Sequence, residues 1–210
     1  MDRKTIDTYN KMAREYDAEV EDFWNVFPST IIDTFAENME KGGRVLDVGS
    51  GSGRDAIILQ KAGLTPVCLD ASEAMVGLTK QKGLETVLAD FSSIPFEDES
   101  FSGVWAYTSL LHIPKAEAEK PLSEIYRVLK KGGILGLGLI EGETEEYRES
   151  SGVNLPRYFA YYKKSEVEGL LQKAGFVSFY FDTLKPRSKT YLHFLARKSG
   201  QALWASSADS

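Results

Sequence analysis

The stretch "VLDVGSGSGRDA", residues 45–56, constrains the fold more than any other part of the chain. Val45–Val48 is a short, mostly apolar run. It enters a turn with glycine at 49, 51 and 53 and continues into a segment with helical spacing. A buried strand feeding a helix through a glycine turn is the first half of a βαβ unit. Gly49, Gly51 and Gly53 allow a sharp reversal and let a ligand approach the backbone. A helix starting near Arg54 aims its first amides at that ligand. Gly51, Gly53 and Ala56 also satisfy the G-x-G-x-x-A spacing of dinucleotide sites. The turn alone therefore leaves the ligand open among a dinucleotide, a phosphate and another adenosine compound.

The same alternation runs on for about a hundred residues. Strand "TPVCLD" precedes helix "SEAMVGLTKQKG", and strand "ETVLAD" leads through a loop to strand "FSGVWAY". A helix near 121–130 follows, with Pro121 in its first turn and Leu122, Ile125, Tyr126 and Leu129 inward. Strand "GILGLGLI" closes the series. Strands alternating with helices imply a doubly wound parallel sheet with right-handed crossovers. Ligands of such sheets bind at the carboxyl ends of the strands, so Asp47–Gly53, Asp70, Asp90 and the residues after Val104 are expected on one rim. In front of this core, "TIDTYNKMAREYD" places Ile6, Tyr9, Ala13 and Tyr16 on one helical stripe. A second helix over 29–40 takes Ser29 as N-cap, with Ile31, Ile32, Phe35 and Met39 inward. Behind it, 141–157 is acidic and polar and reads as a loop or lid. Residues 165–175 read as a helix capped by Ser165 with Glu168 and closed by Gly175. "FVSFYFDTL" and "TYLHFLARK" read as an antiparallel pair.

Bulk properties limit the partners. The 210 residues carry 25 Lys and Arg against 31 Asp and Glu, a formal charge of −6. That balance supplies no electrostatic funnel for nucleic acid. Cys68 is the single cysteine, which excludes an internal disulfide and a thiolate metal cluster. No apolar run has membrane-spanning length, and the first residues lack a secretory leader's pattern. The expectation is a cytoplasmic monomer or homodimer that requires no metal. The last stretch, 199–210, reads as a loose tail around Trp204.

Two acids narrow the ligand. Asp70 ends the second strand about twenty residues after the turn, where a carboxylate accepts ribose hydroxyls in either a nicotinamide or an adenosylmethionine site. Asp90 with Phe91 ends the third strand. An acid there has no duty to a pyrophosphate, but it can accept an adenine amino group while the Phe91 amide donates to the ring. The remaining polar residues near the turn offer only Arg54 to a phosphate.

With these residues in place, "VLDVGSGSG", "CLDAS", "LADFSSIPFEDESFSGVWA" and "LKKGGILGL" resemble the successive motifs of class I S-adenosylmethionine-dependent methyltransferases over roughly 40–140. "YNKMAREYD" resembles the N-terminal segment of the small-molecule, type 11-like branch. The resemblance implies a Rossmann-like, seven-stranded, mostly parallel α/β sheet ending in an antiparallel hairpin, in a single domain over 1–198. Within it, 1–41 would form a helical cap, 42–140 the cofactor core, 141–164 a lid or substrate segment and 165–198 the terminal helix and hairpin. It implies S-adenosyl-L-methionine as cofactor, cradled by Gly49, Gly51 and Gly53 with Asp47 and Ser50. Asp70 and Ala71 would hold the ribose and Asp90 and Phe91 the adenine, with Tyr107, Tyr9 and Tyr16 near the methionine end. The Asn/Asp-Pro-Pro-Tyr/Phe type motif of base-methylating relatives is absent, since "AYTSLLHIP" stands in its place.

The acceptor side is read from position. Ser109 and His112 follow the fourth strand, where acceptor and methyl group should meet. His112 is the candidate base because an unperturbed imidazole titrates near neutrality. Arg157, Tyr158, Phe159, Tyr161 and Tyr162 form an aromatic and cationic group that could line an acceptor pocket, with Arg157 fixing an anionic group. The same residues also suit a strand packed into the core. His193 reads as a sheet residue. The expected activity is methyl transfer to a small molecule. A tRNA- or protein-directed methyltransferase, an NAD(P)-dependent oxidoreductase and a non-catalytic cofactor-binding protein remain as alternatives.

Overall fold

The computed structural model describes residues 2–150, 153–186 and 188–199. The chain begins with α1 (Arg3–Val20), α2 (Phe23–Val26) and α3 (Thr30–Glu37). It continues through β1 (Arg44–Val48), α4 (Arg54–Lys61), β2 (Thr65–Asp70), α5 (Glu73–Gln81), β3 (Thr86–Leu88) and β4 (Phe101–Tyr107). Then come α6 (Glu119–Val128), β5 (Leu129–Ile140), β6 (Glu145–Ser150), β7 (Val153–Ala160), α7 (Lys164–Lys173), β8 (Phe176–Leu184) and β9 (Tyr191–Lys198). One 7-stranded sheet has the order β3-β2-β1-β4-β5-β9-β8. The first five strands pair in parallel, and β9 runs antiparallel between β5 and β8. The expected Rossmann-like sheet with a terminal antiparallel hairpin is thus present. Because the strand order reverses between β1 and β4, a crevice opens at their carboxyl ends.

Apolar strands buried on both faces explain the sheet's centre. Val45, Leu46, Val67, Leu69, Val104 and Leu135 are wholly buried, and each such side chain stabilises the fold by about 1.5–3 kcal/mol. On one face, α3 presents Ile31, Ile32 and Phe35 to the sheet, where Phe35 meets Trp105 edge to face at 5.2 Å. On β5, Gly138 leaves room for the neighbouring strand's aromatic: a Cβ there would stand 2.3 Å from Tyr107 Cδ2. Glycine alternation in "GILGLGLI" therefore has a packing cause.

Several local expectations need correction. Ser29 occupies the N-cap of α3, but its hydroxyl donates to Asp33 Oδ2 at 3.0 Å rather than capping. Ile6 is partly exposed, and the buried stripe of α1 is Thr5, Thr8, Tyr9, Met12 and Ala13, with non-helical backbone at Met12. Leu129 begins β5 instead of ending α6, and Tyr126 is half-buried. The last long helix is capped two residues earlier than Ser165: Lys163 is its N-cap, and its N–H donates to Glu166 Oε2 at 2.6 Å.

The acidic segment differs most. It is no loop: β6 and β7 form a separate antiparallel ribbon with Tyr147 opposite Tyr158 and Arg148 opposite Arg157. An isolated two-stranded ribbon is marginal, and this one leans on α1. Thr8 Oγ1 donates to the Pro156 carbonyl at 2.8 Å, and Tyr158 N–H donates to Thr5 Oγ1 at 2.9 Å. Tyr147 Oη donates to Asp2 Oδ1 at 2.9 Å, while Asp2 also caps α1 through Thr5 N–H. Of the expected tail, only Ser199 falls among the described residues. No helix among the described residues is long and apolar enough to cross a membrane, and none of their His, Cys, Asp and Glu side chains cluster as a metal site.

Candidate functional site

The turn after β1 is built by backbone. Gly49 and Ser50 N–H both donate to the Leu69 carbonyl, at 2.7 and 3.1 Å, which pins the turn to the end of β2. Gly49 (φ 67) and Gly51 (φ 55) lie in the left-handed region, where side chains are strained. A Cβ on Gly49 would also stand 2.3 Å from Ser109 Cβ, so the turn fits closely against the segment after β4. Gly53 has a different place: left-handed at φ 82, it is the N-cap of α4 and packs beside Leu84.

Around this turn lies an enclosed recess. Asp47, Gly49, Ser50, Gly51, Asp70, Tyr107, Ser109 and His112 line it from the sheet side, and Tyr9, Tyr16 and Val20 of α1 cover it. Asp70 is buried and accepts Gly51 N–H and Ser72 N–H, each at 2.8 Å. Burial raises its pKa. Each carboxylate oxygen keeps a further lone pair for a ligand hydroxyl. Asp47 is 2% exposed, and its Oδ2 has no hydrogen-bond partner among the described residues, nor has Ser109 Oγ. Burial and the neighbouring Asp55 push the Asp47 carboxyl well above its ordinary range. An unpartnered buried acid is expensive, so this oxygen points to a missing donor.

Sequence reasoning missed the residues that fix the recess floor. Asp55 accepts Trp24 Nε1 at 2.7 Å, Trp105 Nε1 at 2.9 Å and Arg54 Nε at 2.6 Å. These partners hold its carboxyl below the usual range despite burial. Arg54 in turn lies over Phe23 and Trp24, 5.0 and 5.6 Å from the ring centroids. The signal was an acid on the inward face of α4, one turn before buried Leu59. Counting Asp47, Asp55 and Asp70 against Arg54 alone, the recess is acidic, and its one cation is already paired.

His112 sits in a hydrogen-bond chain. Arg157 Nη1 donates to Tyr9 Oη at 2.9 Å, and Tyr9 Oη lies 2.9 Å from His112 Nε2. His112 Nδ1 lies 2.6 Å from the Tyr158 carbonyl. A carbonyl can only accept, so the proton is on Nδ1 and Nε2 accepts from Tyr9. Both ring nitrogens are engaged, and burial drives the pKa down to about 3. The near-neutral imidazole expected of a base is thereby corrected to a buried, neutral hydrogen-bond acceptor. His193 sits in β9, as expected, with Nε2 2.9 Å from Tyr107 Oη.

A second recess adjoins the first and shares Tyr9, Tyr16, Arg54, Tyr107, Thr108 and His112 with it. Arg157, Phe159, Lys189 and Tyr191 line its far side. Of the expected aromatic and cationic group, Arg157 and Phe159 reach it. Tyr158 turns its hydroxyl to Glu145, Tyr161 accepts from Arg148 Nη1 at 3.0 Å, and Tyr162 is 1% exposed in the core. Those three belong to the packed ribbon and core, lining neither recess. Ala71 and Asp90 line a third, open cleft on the other side of α1. Asn10 separates it from the first recess, with Oδ1 accepting Ser72 Oγ at 2.8 Å and Ala74 N–H at 3.1 Å. Asp90 Oδ1 accepts Ser92 N–H at 2.8 Å, and the Phe91 ring is wholly buried.

Comparison with known proteins bears on the fold that carries these recesses. Residues 46–137 match the family model of a methyltransferase domain. A sterol methyltransferase-like protein of Botryococcus braunii is 38% identical over 109 residues, covering 48% of this chain and 27% of that protein. The chain thus spans about a quarter of that relative's length. An uncharacterised protein of Methanocaldococcus jannaschii is 27% identical over 177 residues, covering 81% of this chain and 82% of its own. Among solved structures, the 1,6-didemethyltoxoflavin-N1-methyltransferase of Burkholderia thailandensis, with 1,6-didemethyltoxoflavin and S-adenosylhomocysteine bound, superposes with a TM-score of 0.73. It is 19% identical and covers 93% of this chain and 88% of its own.

Proposed function

We propose that this chain, whose residues 46–137 form a methyltransferase domain of the class I S-adenosylmethionine-dependent fold, transfers a methyl group to a small-molecule acceptor. The reading is carried by the acidic recess at the glycine turn, where Asp47 Oδ2 lacks a donor beside Asp70 and Ser109. With Asp55 matched by Arg54, Asp47 and Asp70 favour a ligand with an ammonium and a sulfonium and disfavour a pyrophosphate. That counts against the NAD(P) alternative.

When bound, S-adenosylmethionine would supply a methyl group already activated by its sulfonium, whose sulfur would keep the electron pair of the broken carbon–sulfur bond when an acceptor lone pair takes the methyl. The chain's part is to bind and orient. Asp47 would accept from the methionine ammonium, and Gly49, Ser50 and Gly51 would offer close backbone. Asp70 would accept ribose hydroxyls, and Ala71, Asp90 and the Phe91 backbone would flank the adenine in the outer cleft once the Asn10 side chain swings off Ser72 and Ala74. Tyr9, Tyr16 and Tyr107, which line the recess, would exclude water around the methyl group and so sharpen electrostatic preorganisation. His112 holds Tyr9 in place and takes no proton from the acceptor, so an acceptor proton leaves to solvent or to a group of its own. Orientation of an already activated methyl donor is the main source of rate.

The domain division expected from sequence is kept in outline: 1–41 as a cap, 42–140 as the cofactor core and 165–198 as the terminal helix and hairpin. The segment 141–164 is read as a ribbon that buttresses the cap. The test is transfer from methyl-labelled S-adenosylmethionine in the presence of a cellular small-molecule fraction or of bulk tRNA. Label in the low-mass fraction supports the reading. Label in tRNA supports the runner-up, and no label in either supports a cofactor-binding protein without turnover.

A further inference from the structure

The second recess carries a charge pattern opposite to that of the first. Arg157 on β7 and Lys189, just before β9, converge on one ring: Arg157 Cζ and Lys189 Nζ stand 5.3 and 5.6 Å from the Phe159 centroid. Phe159 is 7% exposed, so both cations are held against a nearly buried surface. Lys189 is half-buried and makes no hydrogen bond or ion pair among the described residues. Burial and the charges of Arg148 and Arg157 pull its ammonium below the ordinary lysine range. Among the described residues the one acid in the lining is Glu19, exposed on α1, and Arg54 is already neutralised by Asp55. A half-buried ammonium with no hydrogen-bond acceptor among the described residues is costly and suits an anionic partner.

The rest of the lining is flat and aromatic. Tyr107 and Tyr191 lie parallel, with centroids 6.2 Å apart, and Phe23 meets Tyr191 at 5.8 Å. Tyr16 closes the side shared with the first recess. Such a lining suits a planar ring by stacking. Arg157 and Lys189 suit a carboxylate by charge-assisted hydrogen bonds.

We propose that the second recess is the acceptor site and that the acceptor is a planar aromatic carboxylate, its ring against Tyr107, Tyr191 and Phe23 and its carboxylate between Arg157 and Lys189. This rests on the methyltransferase reading of the adjoining recess. Lys189 is a specificity residue that no sequence motif marked, and it recognises the acceptor's charge without touching the cofactor.

The test is calorimetry on the full chain. S-adenosylhomocysteine is titrated first; then, at saturation, 4-hydroxybenzoate, 2-naphthoate and their uncharged amides, and cyclohexanecarboxylate as the non-aromatic acid. The aromatic acids should bind at least about tenfold more tightly than their amides and than the saturated acid, a margin equal to one charge-assisted contact. Lys189→Gln should remove most of the acid-over-amide margin, Lys189→Arg should restore it, and neither should change the affinity for S-adenosylhomocysteine. Equal binding of acids and amides, no binding of either aromatic acid to the saturated protein, or an unchanged margin in Lys189→Gln would overturn the proposal. Failure of S-adenosylhomocysteine itself to bind would instead strike the methyltransferase reading, and is seen in the first titration.

Discussion

Tyr9 Oη lies 2.9 Å from His112 Nε2, across 103 residues of sequence. Through that contact α1 is tied to the segment after β4, and Arg157 and the Tyr158 carbonyl extend the chain into β7. The cap, the sheet and the ribbon therefore meet at one buried imidazole, and its protonation state matters to all three.

That gives a pH prediction. The folded His112 pKa is about 3, below the unfolded value of about 6.5. The unfolded chain binds the extra proton between those values, so stability from this group is fully present above about pH 6.5 and is lost as pH falls toward 3. Denaturant unfolding at stepped pH should show wild type losing stability relative to His112→Gln below pH 6.5, by at most about 1.4 kcal/mol per pH unit. Parallel curves for the two proteins would contradict the buried neutral state. Turnover, likewise, should show no inflection from His112 near neutrality.

Removing the bridging hydroxyl is the second case. Tyr9→Phe leaves His112 Nε2 buried without its donor, at a cost of about 1–3 kcal/mol. Thermal unfolding should report the loss, and Arg157→Met in the Tyr9→Phe background should cost less than in wild type, because the two act in one network.

Gly49 yields a packing prediction. Gly49→Ala brings a Cβ within 2.3 Å of Ser109 Cβ, at φ 67. Stability should fall by more than the roughly 1–2 kcal/mol of left-handed strain alone, and Ser109→Gly should recover the steric part. A full cycle of four proteins in urea would show the coupling, and strict additivity would argue against the close fit.

Asp55 anchors two indoles. Asp55→Leu breaks the contacts to Trp24 and Trp105 and leaves Arg54 unpaired. Losing one partner of a buried ion pair costs about 3–5 kcal/mol. Tryptophan fluorescence should shift together with unfolding midpoint; a shift in neither would remove Asp55 from the floor of the site.

Much of this was legible in sequence, for physical reasons. Apolar runs such as Val45–Val48 and Val67–Leu69 can satisfy burial only inside a parallel sheet, and glycine at 49 and 51 marks where chain and ligand must come close. The ribbon was not legible. Glu145–Ser150 has no apolar alternation, because its register is set by contacts to α1 and by pairing with Tyr158 and Arg157, which no local pattern encodes. His112 looked like a base from its position alone, while its burial and its two partners come from segments 103 and 46 residues away. Lys189 and Asp55 were missed for the same reason: each is defined by what the fold brings beside it.

The central claim is that the acidic recess at Gly49–Gly51 binds an adenosyl sulfur compound. A thermal shift with S-adenosylhomocysteine, S-adenosylmethionine, NADH and NADPH at equal excess tests it most directly, since a ligand at a hundredfold its Kd adds about 2.7 kcal/mol to the folded state. The account predicts a rise of several degrees with the two adenosyl sulfur compounds, lost in Asp70→Asn, and none with the dinucleotides. A rise with NADH or NADPH alone would contradict it.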